Sequence, residues 1–233
     1  MSRGARTALI VRGGWEGHQP VEATEFFLPF LRENGYDCLV HESPVVYADE
    51  GVMADVDLIV QCVTMSTIEP EQVAGLRAAV AAGTGLVGWH GGIADSFRAS
   101  DAYLQLVGGQ FAHHPPVSPE ERTGEQSDFY LRHRIDILPE AADHPITRGL
   151  ESFELTTEQY WVLHDDLIEV LATTTLPRRE FDEWERPHVA PAVWTRRWGR
   201  GRIVVSTPGH RVEVLQHPSV RTIIERGMLW ASR

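Results

Sequence analysis

Short apolar runs alternate with helical patterns through the first two-thirds of this chain, and that alternation constrains its fold more than any other feature. Residues 7–11 read as a buried strand, followed by the glycine-rich turn Gly13-Gly14-Trp15-Glu16-Gly17-His18. A helix is expected over 21–34, with Phe26, Phe27, Phe30 and Leu31 on one face and Gly35 just past its end. Pro29 inside it should kink or delay it. Residues 37–41 and 57–63 read as the second and third strands. Residues 70–82 read as a helix, with Pro70 near its start, Glu71 in the first turn and Gly83 beyond its end. Residues 85–89 read as a fourth strand and 100–107 as the helix that follows. Such alternation implies a parallel sheet with right-handed crossovers and helices on both faces.

After Gly108-Gly109 the pattern changes. Residues 112–128 hold three prolines and no periodicity, and read as a flap over the domain. Residues 130–137 and 167–173 read as strands. Residues 191–195 and 202–206 flank Gly199-Arg200-Gly201 as a hairpin. A last helix is expected over 218–230, with Val220, Ile223, Ile224 and Met228 on one stripe. With 233 residues, no repeat and no linker, the expectation is a single domain over 1–233.

Charge and cysteine content exclude several classes of function. The net charge of −12 argues against nucleic acid or an anionic membrane as partner. All 21 cationic residues are arginine, so Schiff-base chemistry and a phosphate loop with its lysine are excluded. Two cysteines make no disulfide framework, and the apolar stretch after Arg6 is too short for a signal-peptide core. A cytoplasmic chain is expected; the acidic surface and apolar last helix permit a homo-oligomer.

The chemistry centres on Gly88-Trp89-His90-Gly91-Gly92, where a strand should end in a sharp turn that lifts one side chain above the sheet. The lifted group is an imidazole, suited to moving protons or binding metal and unsuited to a stable acyl-enzyme. Ligands in open parallel sheets bind beyond the carboxyl ends of the strands. Of the eleven histidines, His18, His90 and His210 fall at such ends, so one crevice would hold all three. His113 and His114 open the flap and would close over it. Glu158, in a polar stretch between apolar segments, is a candidate acid/base or metal-binding carboxylate. Three imidazoles and a carboxylate would suit divalent zinc, manganese or iron, although the spacings match no short metal signature. Metal-free acid/base work by His90 and His210 accounts for the same residues. Cys62 lacks a glycine elbow and reads as a buried apolar residue, as does Cys38. Trp15, on the glycine loop at the crevice mouth, would stack on a sugar face or form an apolar lid.

Several ordered motifs together resemble the ThuA-like, or trehalose-utilisation, family. They are Gly14-Trp15-Glu16-Gly17-His18-Gln19-Pro20, Gly88-Trp89-His90-Gly91-Gly92 through Asp95-Ser96-Phe97, and Gly108-Gly109-Gln110-Phe111. His144-Pro145-Ile146-Thr147-Arg148-Gly149-Leu150, Glu158-Gln159-Tyr160, Ala192-Val193-Trp194-Thr195, Gly201-Arg202-Ile203 and Pro208-Gly209-His210 complete the set. The resemblance runs from about residue 8 to 230. It implies a flavodoxin-like, class I glutamine amidotransferase-like three-layer α/β sandwich with a mainly parallel central sheet. It also implies that His90 occupies the elbow where amidotransferases place cysteine, with His210 near their catalytic histidine, so glutaminase activity should be absent. The implied substrate is a small carbohydrate: trehalose, related disaccharides or their keto derivatives. A Tyr-Tyr pair is common in the family where this chain has Tyr160-Trp161.

The expected function is therefore a carbohydrate-metabolism enzyme of isomerase, lyase or hydrolase type, working by His/Glu acid/base chemistry with or without a metal. His90, His210 and Glu158 would be catalytic, and His18, His90 and His210 the metal ligands. Trp15, Glu16, His18, Gln19, Asp95, Ser96 and His113 would contact substrate. The alternative is a catalytically inactive sugar-binding module on the same fold; a cysteine-dependent amidase through Cys62 is a third.

Overall fold

The computed structural model describes residues 6–118, 120–121, 123 and 129–233. Strand β1 (Arg6–Gly14) leads into helix α1 (Pro20–Glu33), β2 (Tyr36–His41), α2 (Glu50–Ala54) and β3 (Leu58–Thr64). Then come α3 (Pro70–Ala81), β4 (Gly85–Trp89), α4 (Gly91–Ala94), α5 (Asp101–Val107) and β5 (Gly109–His113). The remainder runs β6 (Tyr130–Ile137), β7 (Phe153–Glu158), β8 (Trp161–His164), β9 (Glu169–Leu176), β10 (His188–Trp198), β11 (Gly201–Ser206), α6 (Val212–Leu215) and α7 (Pro218–Ala231).

Among the described residues, nine strands form one sheet in the order β2-β1-β3-β4-β11-β10-β9-β6-β7, and β5 pairs with β8 in a separate ribbon. The first four pairings are parallel and the last four antiparallel, so the sheet is mixed and not mainly parallel. The physical reason is local. Helical crossovers supply the parallel half, whereas the tight turn at Gly199 can only return the chain antiparallel.

The inner strands of the parallel half, β1, β3, β4 and β11, are buried on both faces, as their apolar runs require, whereas the edge strand β2 is largely exposed. In β1, Ala8 and Ile10 join a core with Phe27 and Leu31 of α1 and Ile223 and Met228 of α7. The alternating Leu9 and Val11 join the opposite core with Val73, Leu76 and Val80 of α3 and Tyr103 and Leu106 of α5. Helices thus cover both faces.

Two local expectations change. Helix α1 runs through Pro29 without ending. Pro29 and Glu25 both lie on the exposed side, so the carbonyl that proline leaves unbonded faces water. The segment expected as a flap from residue 112 begins instead as strand, because β5 extends to His113 and pairs with Trp161. Beyond it, Pro115 and Val117 are buried, and the Arg179 guanidinium reaches Glu121. The rest of that expected flap, at 119, 122 and 124–128, lies outside the described residues.

Candidate active site

The loop after β1 crosses the end of β3 almost without clearance. Trp15 donates its backbone N–H to the Thr64 carbonyl, and a turn of 3-10 helix over Glu16–His18 then swings the His18 ring inward. Gln19, at φ +49°, reverses the chain into Pro20 and α1. Its side-chain carbonyl accepts the Val212 N–H, tying this loop to the segment after β11.

Strand β4 ends on His90, which holds φ +49° and ψ −141°, a backbone state costly for a residue with a Cβ. The strain is supported on both sides. The His90 N–H donates to the Ser206 carbonyl at the end of β11, and its own carbonyl receives the Ala94 N–H of α4. Gly91 is required here because a Cβ would stand 2.5 Å from Cε1 of His18. The sharp elbow expected from the sequence is therefore formed, and it presents imidazole.

Glu158 arrives from the far edge of the sheet order. Strand β6 pairs with β9 only through Asp136 and Ile137, while Tyr130 to Ile135 pair with β7 alone. The β6–β7 ribbon thus separates from the main sheet, and its free end, where Tyr130 faces Glu158, reaches the crevice. Glu158 closes a strand and is not a solvated loop residue. The sequence marks it as a candidate carboxylate but not as a strand residue, because β7 is short and its alternation is polar.

Four groups meet. One ligand atom from each of His18, His90, Glu158 and His210 lies within 4.8 Å of all the others. Nε2 of His90 is 3.0 Å from Oε2 of Glu158 and 3.2 Å from Nδ1 of His210, which is 3.0 Å from the same Oε2. On the outer side, Nδ1 of His90 lies 2.8 Å from the Thr207 carbonyl. A carbonyl only accepts, so that nitrogen carries the proton and Nε2 presents its lone pair to the cluster. Thr64 Oγ1 engages Nδ1 of His18 at 2.9 Å, leaving Nε2 of that ring for the centre. Outer partners that fix the tautomer in this way are what metal-ligating histidines use. Bonds of about 2.0–2.2 Å to one ion would set neighbouring donors roughly 3.0–3.5 Å apart, which the three closest separations match.

Electrostatics agree with neutral His18 and His210 beside an anionic carboxylate. Burial, reinforced by His90 and His210, lowers the His18 pKa to about 2. Burial also lowers His210, against the pull of Glu158. For Glu158, burial alone would raise the pKa; the neighbouring His210 and His90 rings outweigh it and hold the carboxyl well below the usual range. Burial and the Glu158 charge push Tyr160 far above a normal phenol. Its protonated hydroxyl donates to Nε2 of His90 at 2.7 Å.

In the unfolded chain His18 and His210 titrate near pH 6.5. Their folded values are lower, so the unfolded state binds more protons as pH falls, and stability present above pH 6.5 is lost below it. Glu158 adds a loss in the same direction through the carboxylate range. The chelator-treated protein is expected to hold a constant melting temperature from pH 8 to about 7 and to lose it steadily below about 6.5. Calorimetry across pH checks this; a flat profile down to pH 5 would contradict the buried neutral cluster.

The remaining expected site residues distribute unevenly. Trp15 sits at the mouth, 45% exposed, its ring 4.8 Å from His18 and 6.4 Å from His210. Glu16 and Gln19 line a neighbouring cleft of about 630 Å³ with Arg12 and Glu42. The Asp95 carboxylate is held by Arg98, with Nη2 at 2.6 Å. Ser96 faces the interior: its hydroxyl donates to the Gly92 carbonyl and accepts from Gln61, so the substrate contact expected for it has no support in this placement. Of the two flap histidines, His113 is exposed on β5, whereas His114 comes within 3.6 Å of Glu158. Burial lowers His114 to about 4, and its Nδ1 is buried without a hydrogen-bond partner among the described residues. Cys62 packs against Gly92, and burial raises its thiol to about 12, which removes it as a nucleophile. Tyr130 was not legible as a site residue, since no motif marks it, and Tyr160 stood in the Glu158-Gln159-Tyr160 motif without a role of its own.

The sequence profile of the ThuA family, described as trehalose utilisation, matches residues 7–231. The chain belongs to the ThuA family. Its fold is shared by a ThuA-like protein from Bacteroides uniformis (TM-score 0.74, 16% identity, 99% of this chain and 93% of that one). A ThuA-like protein from Parabacteroides merdae gives 0.70 at 16% identity, covering 98% and 90%. A protein described as cytoplasmic from Salmonella typhimurium gives 0.63 at 14%, covering 97% and 100%. No curated protein matches the sequence significantly. Membership of ThuA gives the chain a role related to trehalose utilisation. Among the described residues, no helix is long and apolar enough to cross a membrane.

Proposed function

We propose that this ThuA-family chain is a cytoplasmic carbohydrate-processing enzyme that acts on a sugar or keto-sugar by acid/base chemistry around a divalent transition metal. His18, His90, His210 and Glu158 would hold the ion. The observation that carries the reading is the convergence of lone pairs from these residues, with the outer nitrogens of His18 and His90 already engaged. Only a cation or shared protons can reconcile donors so close together. Three imidazoles and one carboxylate suit zinc, manganese or iron.

When bound, such an ion would polarise a carbonyl or hydroxyl oxygen of the substrate. The chain's own groups would do the rest. Trp15 offers a flat apolar face at the mouth, suited to the C–H face of a sugar ring. Tyr160 remains a proton donor beside His90, and His114 stands next to Glu158 outside the ligand set. The 2-1-3-4 order of the parallel half supports the flavodoxin-like, amidotransferase-like reading. Histidine at the elbow, with Cys62 inert, argues against glutaminase activity.

One observation favours a second reading. Nδ1 of His210 lies within hydrogen-bond distance of the Glu158 carboxylate and Tyr160 already donates to His90, so the cluster is partnered without an ion, as in a metal-free sugar-binding module. Elemental analysis of protein purified without chelator, together with turnover of trehalose and keto-sugars, separates the two. About one metal per chain with turnover supports the enzyme; sugar binding without metal or turnover supports the module.

Tyr160 competes with any cation for the His90 lone pair. The variant Tyr160→Phe is therefore expected to bind divalent metal at least as tightly as the wild type, as read by chelator competition. Weaker binding would mean that the hydroxyl supports the ion and does not oppose it.

A further inference from the structure

Tyr130 belongs to none of the groups used so far, yet it stands beside them. It pairs directly with Glu158 across the β6–β7 ribbon, so the two side chains leave the same face as nearest cross-strand neighbours. Its ring meets the edge of His210 with centroids 5.2 Å apart at 84°. The side chain is only 8% exposed, and its hydroxyl is buried with no hydrogen-bond partner among the described residues. The Thr157 hydroxyl beside it is buried and likewise has no partner of hydrogen-bond geometry among the described residues, although it stands close enough to pull the phenol's pKa down against the rise that burial causes.

An unpaired buried hydroxyl is costly, and phenylalanine would fill the same space without that cost. On the other side of Glu158, Nδ1 of His114 is likewise buried and unpaired. The four clustered donors all turn inward on one another. Two groups that do not belong to the cluster therefore flank its carboxylate with unused hydrogen-bonding capacity.

We infer that Tyr130 is a substrate-specificity residue whose hydroxyl binds an oxygen of a polyhydroxylated substrate while an adjacent oxygen of that substrate sits at the His–Glu cluster. This rests on the sugar-processing reading above. It narrows the substrate class to compounds bearing neighbouring oxygens, such as vicinal diols or hydroxy-ketones. A site built to bond a hydroxyl discriminates against an analogue lacking it, because the buried protein group is then left unpaired.

The test compares wild type with Tyr130→Phe, and with Thr157→Val as a control. Metal content, melting temperature and kinetics are measured on trehalose, its keto-oxidised derivative and its monodeoxy analogues. The expected Tyr130→Phe protein keeps its metal and melts at or above the wild-type temperature. Its KM rises about 3- to 10-fold, and it loses the preference for the parent sugar over one particular monodeoxy analogue. Unchanged KM and unchanged analogue preference would overturn the inference. So would a fall in melting temperature matched by Thr157→Val, which would mark the two hydroxyls as a structural pair. A wild-type protein that neither binds nor converts any of these sugars overturns the parent reading with it, and is recognised because the failure appears before any substitution is made.

Discussion

Replacing His90 with alanine is expected to remove stoichiometric divalent metal from the protein and to lower sugar turnover by about 10²–10⁴-fold, the usual worth of one acid/base group. The expectation follows from the place of Nε2 in the cluster. It is 3.0 Å from the Glu158 carboxylate, 3.2 Å from His210 and 2.7 Å from the Tyr160 hydroxyl, so no other side chain can take over all three relations. Without the imidazole, the buried Glu158 carboxylate keeps His210 but loses the His90 contribution that helps hold its pKa down. Alanine meets the same left-handed backbone at +49° that histidine already occupies, so the substitution removes contacts without adding strain. Elemental analysis, a thermal melt and turnover on a keto-sugar panel read the three consequences separately. A folded variant with full metal and full turnover would remove His90 from the chemistry. A variant that keeps metal but loses turnover would leave it as an acid/base group outside the ligand set.

The parallel half of the fold was legible because its signals are local. Residues 85–89 form an unbroken apolar run ending in Gly-x-His-x-Gly, and both the strand and the elbow follow from that run alone. The convergence of His18, His90 and His210 was legible by one further rule, that the crevice lies beyond the carboxyl ends of neighbouring parallel strands. Glu158 was legible as a candidate carboxylate, but the route that brings it to the crevice was not, and Tyr130 was not legible at all. Their meeting with the histidines depends on where the β6–β7 ribbon parts from β9, and that is set by two cross-strand pairs, Asp136 with Thr173 and Ile137 with Ala172. No period or motif in a single chain encodes where an antiparallel ribbon leaves its sheet. Ser96 failed for the opposite reason. Its place in a motif beside the elbow suggested an outward role, whereas the Gln61 amide and the Gly92 carbonyl, distant or hidden in sequence terms, claim its hydroxyl. His113 and His114 differ only by the strand alternation that carries one outward on β5 and leaves the next free to turn in, and β5 itself was not foreseen.

Gly14→Ala is expected to be the most destabilising single methyl addition near the site, costing roughly 3 kcal/mol or more. Two costs combine. Gly14 holds φ +78°, where any other residue is strained by about 1 kcal/mol or more. In addition, its Cβ would stand 1.9 Å from the Thr64 carbonyl oxygen and 2.7 Å from the Thr64 nitrogen, which is backbone that no rotamer can clear. Overpacking of that kind typically adds 1–3 kcal/mol. Relief requires the loop to lift off β3, which breaks the Trp15–Thr64 backbone hydrogen bond and moves the Thr64 hydroxyl that fixes His18. For a chain of this size each kcal/mol lowers the melting temperature by about 2–4 °C, so a drop of about 6–12 °C is expected, with weakened metal binding. Gly35→Ala is the matched control. Gly35 has nearly the same φ, +80°, but nothing lies within 4 Å of the added methyl, so only the conformational cost remains. Equal melting temperatures for the two variants would show that the first loop can yield at Thr64 without cost, and that His18 is not held in place by the crossing of β1 over β3.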